Sequence, residues 1–145
     1  MRRLLLFCTL LLFLVACDEG PEARQYNLQN ARWEAVMANH DVVMPMMSTT
    51  NKVRKQLKQV LVDKPGLPTE TQEQIKQLMA NLDQADEGMM DWMNGFQQLE
   101  KLRENKAHKE ILQYLDEQDV AIKKVGIDMT NAIKAGTDFM ERLTQ

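Results

Sequence analysis

Apolar residues in this chain recur at spacings of three and four between two short breaks, and that periodicity is the tightest constraint on its fold. From Asn27 to Val62 the stripe runs Trp33, Val36, Met37, His40, Val43, Met44, Met47, Leu57, Val60 and Leu61. "DKPGLPT" follows, two prolines and a glycine that no helix carries through. Thr69 with Gln72 three residues later predicts a capping box for the next helix. Its stripe is Ile75, Leu78, Met79, Leu82, Ala85, Met89, Trp92, Met93, Phe96, Leu99 and Leu102, before a weaker break near Asn105 in "RENKA". The last stripe is Ile111, Leu115, Ile122, Val125, Met129, Ala132, Ile133, Gly136, Met140 and Leu143. Each segment holds about 35 residues, hence about 50 Å of helix, and keeps a near-heptad period. A helix apolar along one face must bury it against neighbours, and short connections make those neighbours antiparallel. The predicted fold is all-α: an antiparallel up-down-up three-helix bundle of long helices over residues 27–145, with a kink at Pro45.

The first residues say how such a body is held. Arg2 and Arg3 precede an apolar run from Leu4 to Ala16, which ends at Cys17. Thirteen apolar positions are too few for a permanent span, which needs about 20, so residues 1–16 read as a removable signal peptide. Leu14-Val15-Ala16-Cys17 resembles the lipobox of bacterial lipoproteins, in which the cysteine becomes the first residue and carries the lipid. The resemblance implies that Cys17 is the lipidation site and that acyl chains, each worth about 0.8 kcal/mol per buried CH₂, hold the protein to a membrane. Residues 17–26, with Gly20, Pro21 and three acids, read as a leash with a typical end-to-end distance of about 15 to 18 Å. The expected address is the bacterial cell envelope, with the domain outside the cytoplasm. Asp18 resembles the inner-membrane retention signal of enterobacterial lipoproteins, and equally the surface-export signal of Bacteroidota, so the membrane stays open. Because Cys8 falls in the removed segment, the mature chain has no disulfide and must rely on packing.

Charge narrows the partners. Of 18 basic residues, Arg2 and Arg3 leave with the signal, so 16 face 21 acidic ones and the mature net charge is -5. That balance sets aside nucleic acid and any polybasic grip on anionic lipid. The fragments "HDVVMP", "GMMDWM", "YLDEQ" and "IKKVG" are similar to a group of small Bacteroidota lipoproteins that often carry the misleading label of viral A-type inclusion proteins. That resemblance implies an envelope address and no assigned chemistry.

If the first turn centres between Pro65 and Gly66, His40 lies level with Asp91, Met44 with Glu87 and Met37 with Asn94. Met37, His40, Met44, Met89, Met90 and Met93 then share one slab, and Pro45, Gly88 and Gly126 fall beside it. A proline inside a helix forfeits a backbone bond, and an interior glycine costs up to about 1 kcal/mol relative to alanine, so three at one height ask for a reason. One reason is a structural kink, with glycines admitting neighbouring backbones, methionines filling the gap and His40 donating to Asp91. The alternative is a soft-metal site for copper(I), built from His40 with two or three of Met37, Met44, Met89 and Met93. Packing is the favoured reading of the two.

His108 reads as a solvated end residue. The row Asp83, Glu87, Asp91 reads as a solvated face, since a carboxylate-bridged metal site would need Glu-x-x-His motifs that are missing. Lys52, Arg54, Lys55 and Lys58 find expected neighbours in Glu70 and Glu73. No Ser-His-Asp order, phosphate loop, CxxC or HExxH occurs, so no catalytic residue and no enzyme activity is assigned. The sequence therefore points to a lipid-anchored envelope protein acting as a structural or partner-binding helical module without a cofactor. The alternative is a copper(I) binder or chaperone.

Overall fold

The computed structural model describes residues 20–143, so the signal peptide and Cys17 lie outside the described residues. The described chain forms α1 (Pro21–Val43), α2 (Met46–Asp63), α3 (Thr69–Gly95), α4 (Leu99–Asn105) and α5 (His108–Arg142), with no strand among the described residues.

Helix α1 opens earlier than expected. Pro21 sits in its first turn, where a fixed φ suits the helix and a missing N–H costs nothing, and Glu22 complements the positive helix end. Pro21–Tyr26, expected as leash, are therefore helical. Arg103 adds a reason, since its guanidinium stacks 3.5 Å above the Tyr26 ring. Gln29, Val36 and Val43 are buried at intervals of seven, and Thr50 and Leu57 continue the series in α2. The break at Met44–Pro45 thus bends the rod without shifting the phase of its buried line. The backbone ladder changes there: Met44 still donates to the His40 carbonyl at 2.8 Å, whereas Pro45 has no N–H to offer Asp41.

The turn at residues 64–68 falls where the prolines place it, but α3 opens without a capping box. Pro68 occupies the cap position, and the Gln72 side chain donates instead to the Leu67 carbonyl at 2.9 Å. The second expected helix is not one rod to Asn105. It stops at Gly95, Phe96 is extended, and a separate α4 covers Leu99–Asn105. The cause is tertiary: Phe96 stacks on Trp33 at 4.8 Å and on Trp92 at 4.7 Å, and the Gln97 N–H donates to the Tyr114 hydroxyl at 2.7 Å. Helix α5 then starts at His108, with Glu110 accepting the Ala107 N–H at 2.8 Å. That is half of a capping box, because alanine has no acceptor to complete the other half.

Helix α5 packs against α1, α2 and α3, and α2 against α3. Asn39 donates to Asp119 at 2.6 Å, Val43 lies against Gly126, and Val53 against Gly136, so residue numbers rise together along α1–α2 and α5. The direction reverses for α3, where Thr50 meets Asp86 and Arg54 meets Asp83. The main core gathers Val36, Leu57, Ile75, Leu82, Met89, Ile122 and Met129 around the α5 axis. A smaller cluster of Leu99, Leu102, Ile111 and Leu115 lies under α4, with Trp33 and Tyr114 against it.

Candidate functional site

The slab expected at His40 is built as an aromatic ladder. The His40 ring lies 5.8 Å from Trp92 at 29°, Trp92 stacks on Phe96, Phe96 on Trp33, and Tyr114 closes the series at 6.2 Å from Phe96. The sequence register placed His40 within one residue of this level, but its hydrogen bond goes elsewhere. His40 Nδ1 lies 2.9 Å from Asp41 Oδ1, its sequence neighbour, rather than bonding Asp91. Asp91 is exposed and lines a groove of about 740 Å³ between α3 and α5 with Glu87, Gly88 and Lys124. The Trp92 indole N–H is buried with no hydrogen-bond partner among the described residues, so stacking and core packing orient that ring.

The five candidate ligands separate by depth. Met89 is wholly buried in the main core, and Met93 is half-buried against it. Met37 is half-buried, Met44 is 40% exposed at the helix break, and the His40 side chain is 19% exposed. Met37, His40 and Met44, at intervals of three and four, share one face of α1.

The kink and the two glycines also separate. A Cβ at Gly126 would come within 2.8 Å of the Val43 Cγ2 atom, so this glycine admits the end of α1 against α5. A Cβ at Gly88 would meet nothing within 4 Å, so Gly88 admits no close neighbour, and α3 continues unbroken through it. The close approach paired with Gly126 is at Gly136, where a Cβ would lie 2.6 Å from Val53 Cγ1. Beside the break, a groove of about 620 Å³ is lined by Asn39, Val42, Met46, Lys123 and Ile127. Val42 is 72% and Ile127 60% exposed, and Val120, one heptad before Ile127, is 68% exposed.

Two polar clusters join the helices. In the first, the fully buried Thr50 hydroxyl lies 2.5 Å from Asp86 Oδ1 and 2.8 Å from the Met47 carbonyl. Arg54 pairs with Asp83 and, at 3.4 Å, with Asp86, and it donates to Asn51 at 3.0 Å. Arg54 thus pairs with Asp83 and Asp86 further along α3 and not with Glu70 or Glu73 in its first turns, and Asp83 is no free member of a solvated row. In the second, Arg103 donates from Nε to Gln29 Oε1 at 2.8 Å and from Nη2 to Asn30 at 2.7 Å. With its oxygen engaged, Gln29 donates from Nε2 to His108 Nδ1 at 3.0 Å. His108 is therefore a half-buried joint between α1 and α5 rather than a solvated end.

Sequence reading missed Gln29 and Thr50 because both occupy heptad core positions as polar residues, and a stripe of apolar letters skips them. The signal available was the unbroken seven-residue interval 29, 36, 43, 50, 57. Among the described residues no three His, Cys, Asp or Glu side chains group as a metal site, and no helix is long and apolar enough to cross a membrane. No family model, curated protein or solved structure matches the chain.

Proposed function

We propose that this is a lipid-anchored protein of the bacterial cell envelope, tethered through Cys17, whose helical body works as a structural or partner-binding module. In this reading the five helices make three rods: α1 with α2 going up, α3 with α4 coming down, and α5 going up again. The lipobox-like "LVAC" supports the tether. The partner-binding role rests on one observation, the apolar surface left uncovered at the helix break, where Val42 and Ile127 stand exposed on either side of a groove. Solvent-facing apolar residues clustered around a concavity mark contact surfaces more often than isolated ones do. A helix of another envelope protein would bury them, and the rim of Asn39, Lys123 and Asn131 supplies polar contacts around it. No catalytic step and no cofactor are assigned to this surface.

The test is site-specific photocrosslinking in native membranes. A photoreactive residue at Val42 gives a discrete adduct that Ile127→Lys abolishes, one at Ile127 gives the same adduct, and the same probe at exposed Gln59 gives none. Equal labelling from all three positions would remove the reading.

A further inference from the structure

We propose that the last two turns of α1 form a binding site for a monovalent soft metal ion, copper(I) or its redox-stable analogue silver(I). The donors are His40 Nε2 and the thioethers of Met37 and Met44, and the Trp92 ring borders the site. Three observations carry this inference beyond the docking role. The first is arrangement: the donors sit at i−3, i and i+4 on one helical face, and that face meets α3 through the His40–Trp92 stack at 5.8 Å. Met44 keeps helical dihedrals, so the face extends to the break. The second is the hydrogen bond of His40 Nδ1 to the Asp41 carboxylate at 2.9 Å. A metal-binding histidine commonly gives its other ring N–H to a carboxylate, which fixes the tautomer and makes the free nitrogen a better donor. Here that free nitrogen is Nε2. The third is donor type: thioethers with an imidazole favour copper(I). The Trp92 ring, stacked with both His40 and Phe96, lies beside the site and can report on it through its emission.

The structure also says which methionines belong. Met37 and Met44 are half-buried and exposed, so an ion can reach them, while Met89 is wholly buried among core side chains. The set is thus narrower than the slab the sequence outlined, and Trp92 joins it as a border.

The full lipidated chain, purified in a non-ionic detergent, is titrated with silver(I), and with copper(I) against a competing chelator, while tryptophan emission is followed. One equivalent should bind and quench emission. Met37→Leu and Met44→Leu, which keep volume and shape, should each weaken binding about tenfold or more, and Asp41→Asn by about tenfold as the imidazole loses its partner. Met89→Leu should leave affinity unchanged, and zinc(II) should not compete. Met44→Leu alters an exposed side chain, so its loss of affinity with an unchanged helical spectrum would not reflect unfolding. Absence of stoichiometric binding, full affinity in the Met37→Leu/Met44→Leu double variant, equal loss in Met89→Leu, or displacement by zinc(II) would each overturn the proposal.

Discussion

Replacing glycine by alanine in a helix normally stabilises, and two glycines of this protein should divide on that rule. Gly88 in α3 has open space where a Cβ would go, so Gly88→Ala keeps only the propensity gain of about 1 kcal/mol. Gly136 in α5 has the same gain available, but its Cβ would lie 2.6 Å from Val53 Cγ1, with Leu57 at 3.5 Å and Leu82 at 3.8 Å behind. Val53 is 2% exposed, and a β-branched residue in a helix has essentially one χ1 rotamer, so the methyl cannot swing away. Relief requires α2 and α5 to move apart, an overpacking cost of about 1–3 kcal/mol. Gly136→Ala is therefore destabilising by about 1 kcal/mol net, about 2 kcal/mol from Gly88→Ala. Val53→Ala alone opens a cavity, yet with Gly136→Ala the new methyl fills it, so the two changes should couple favourably by about 1 kcal/mol or more. Urea unfolding of the chain from Gly20, followed by helical circular dichroism, reads all four variants. Stabilisation of Gly136→Ala equal to that of Gly88→Ala, or strict additivity with Val53→Ala, would refute the close approach.

Thr50→Val keeps the shape but removes the hydroxyl facing Asp86, and urea unfolding should show a loss of about 1–3 kcal/mol. Arg103→Met keeps the aliphatic stem but strands Gln29 Oε1, which should cost about 1–3 kcal/mol and lower amide hydrogen-exchange protection in the first turns of α1 before that of α3. Cys17→Ser should release the protein from membranes on fractionation and abolish incorporation of a labelled fatty acid, and retained labelling would refute the tether.

What could be read from sequence was what backbone chemistry alone decides. Pro65, Gly66 and Pro68 leave no helical option, so the α2–α3 turn lies where they put it. The stripes gave helical identity and period, because an apolar face must be buried whatever covers it. The end of α3 at Gly95 was hidden because Phe96, Leu99 and Leu102 continue the stripe across it, and what breaks the helix is the pull of Trp33 and Tyr114 on Phe96. The partners of Thr50 and Gln29 were equally hidden, being 36 and 79 residues away. At the candidate site, antiparallel counting brought His40 to the level of Trp92, yet its bond to Asp41 is a rotamer choice that no register reveals. Gly88 shows the converse: its position suggested a close approach, and the space around it is open.

The polar clusters have a further consequence for how the helices are indexed. Heptad stripes rich in methionine and leucine tolerate sliding, since moving one rod by seven residues replaces one flexible apolar side chain with another at little packing cost. Such a slide would draw Asp86 away from Thr50 and both Arg103 and His108 away from Gln29, leaving buried donors and acceptors stranded at about 1–3 kcal/mol each. With one peg at the start of α5 and the other between α2 and α3, α1 cannot slip along α5, nor α2 along α3, without losing one. The apolar stripes pull the rods together, and a threonine and a glutamine in those stripes set the notch at which they stop.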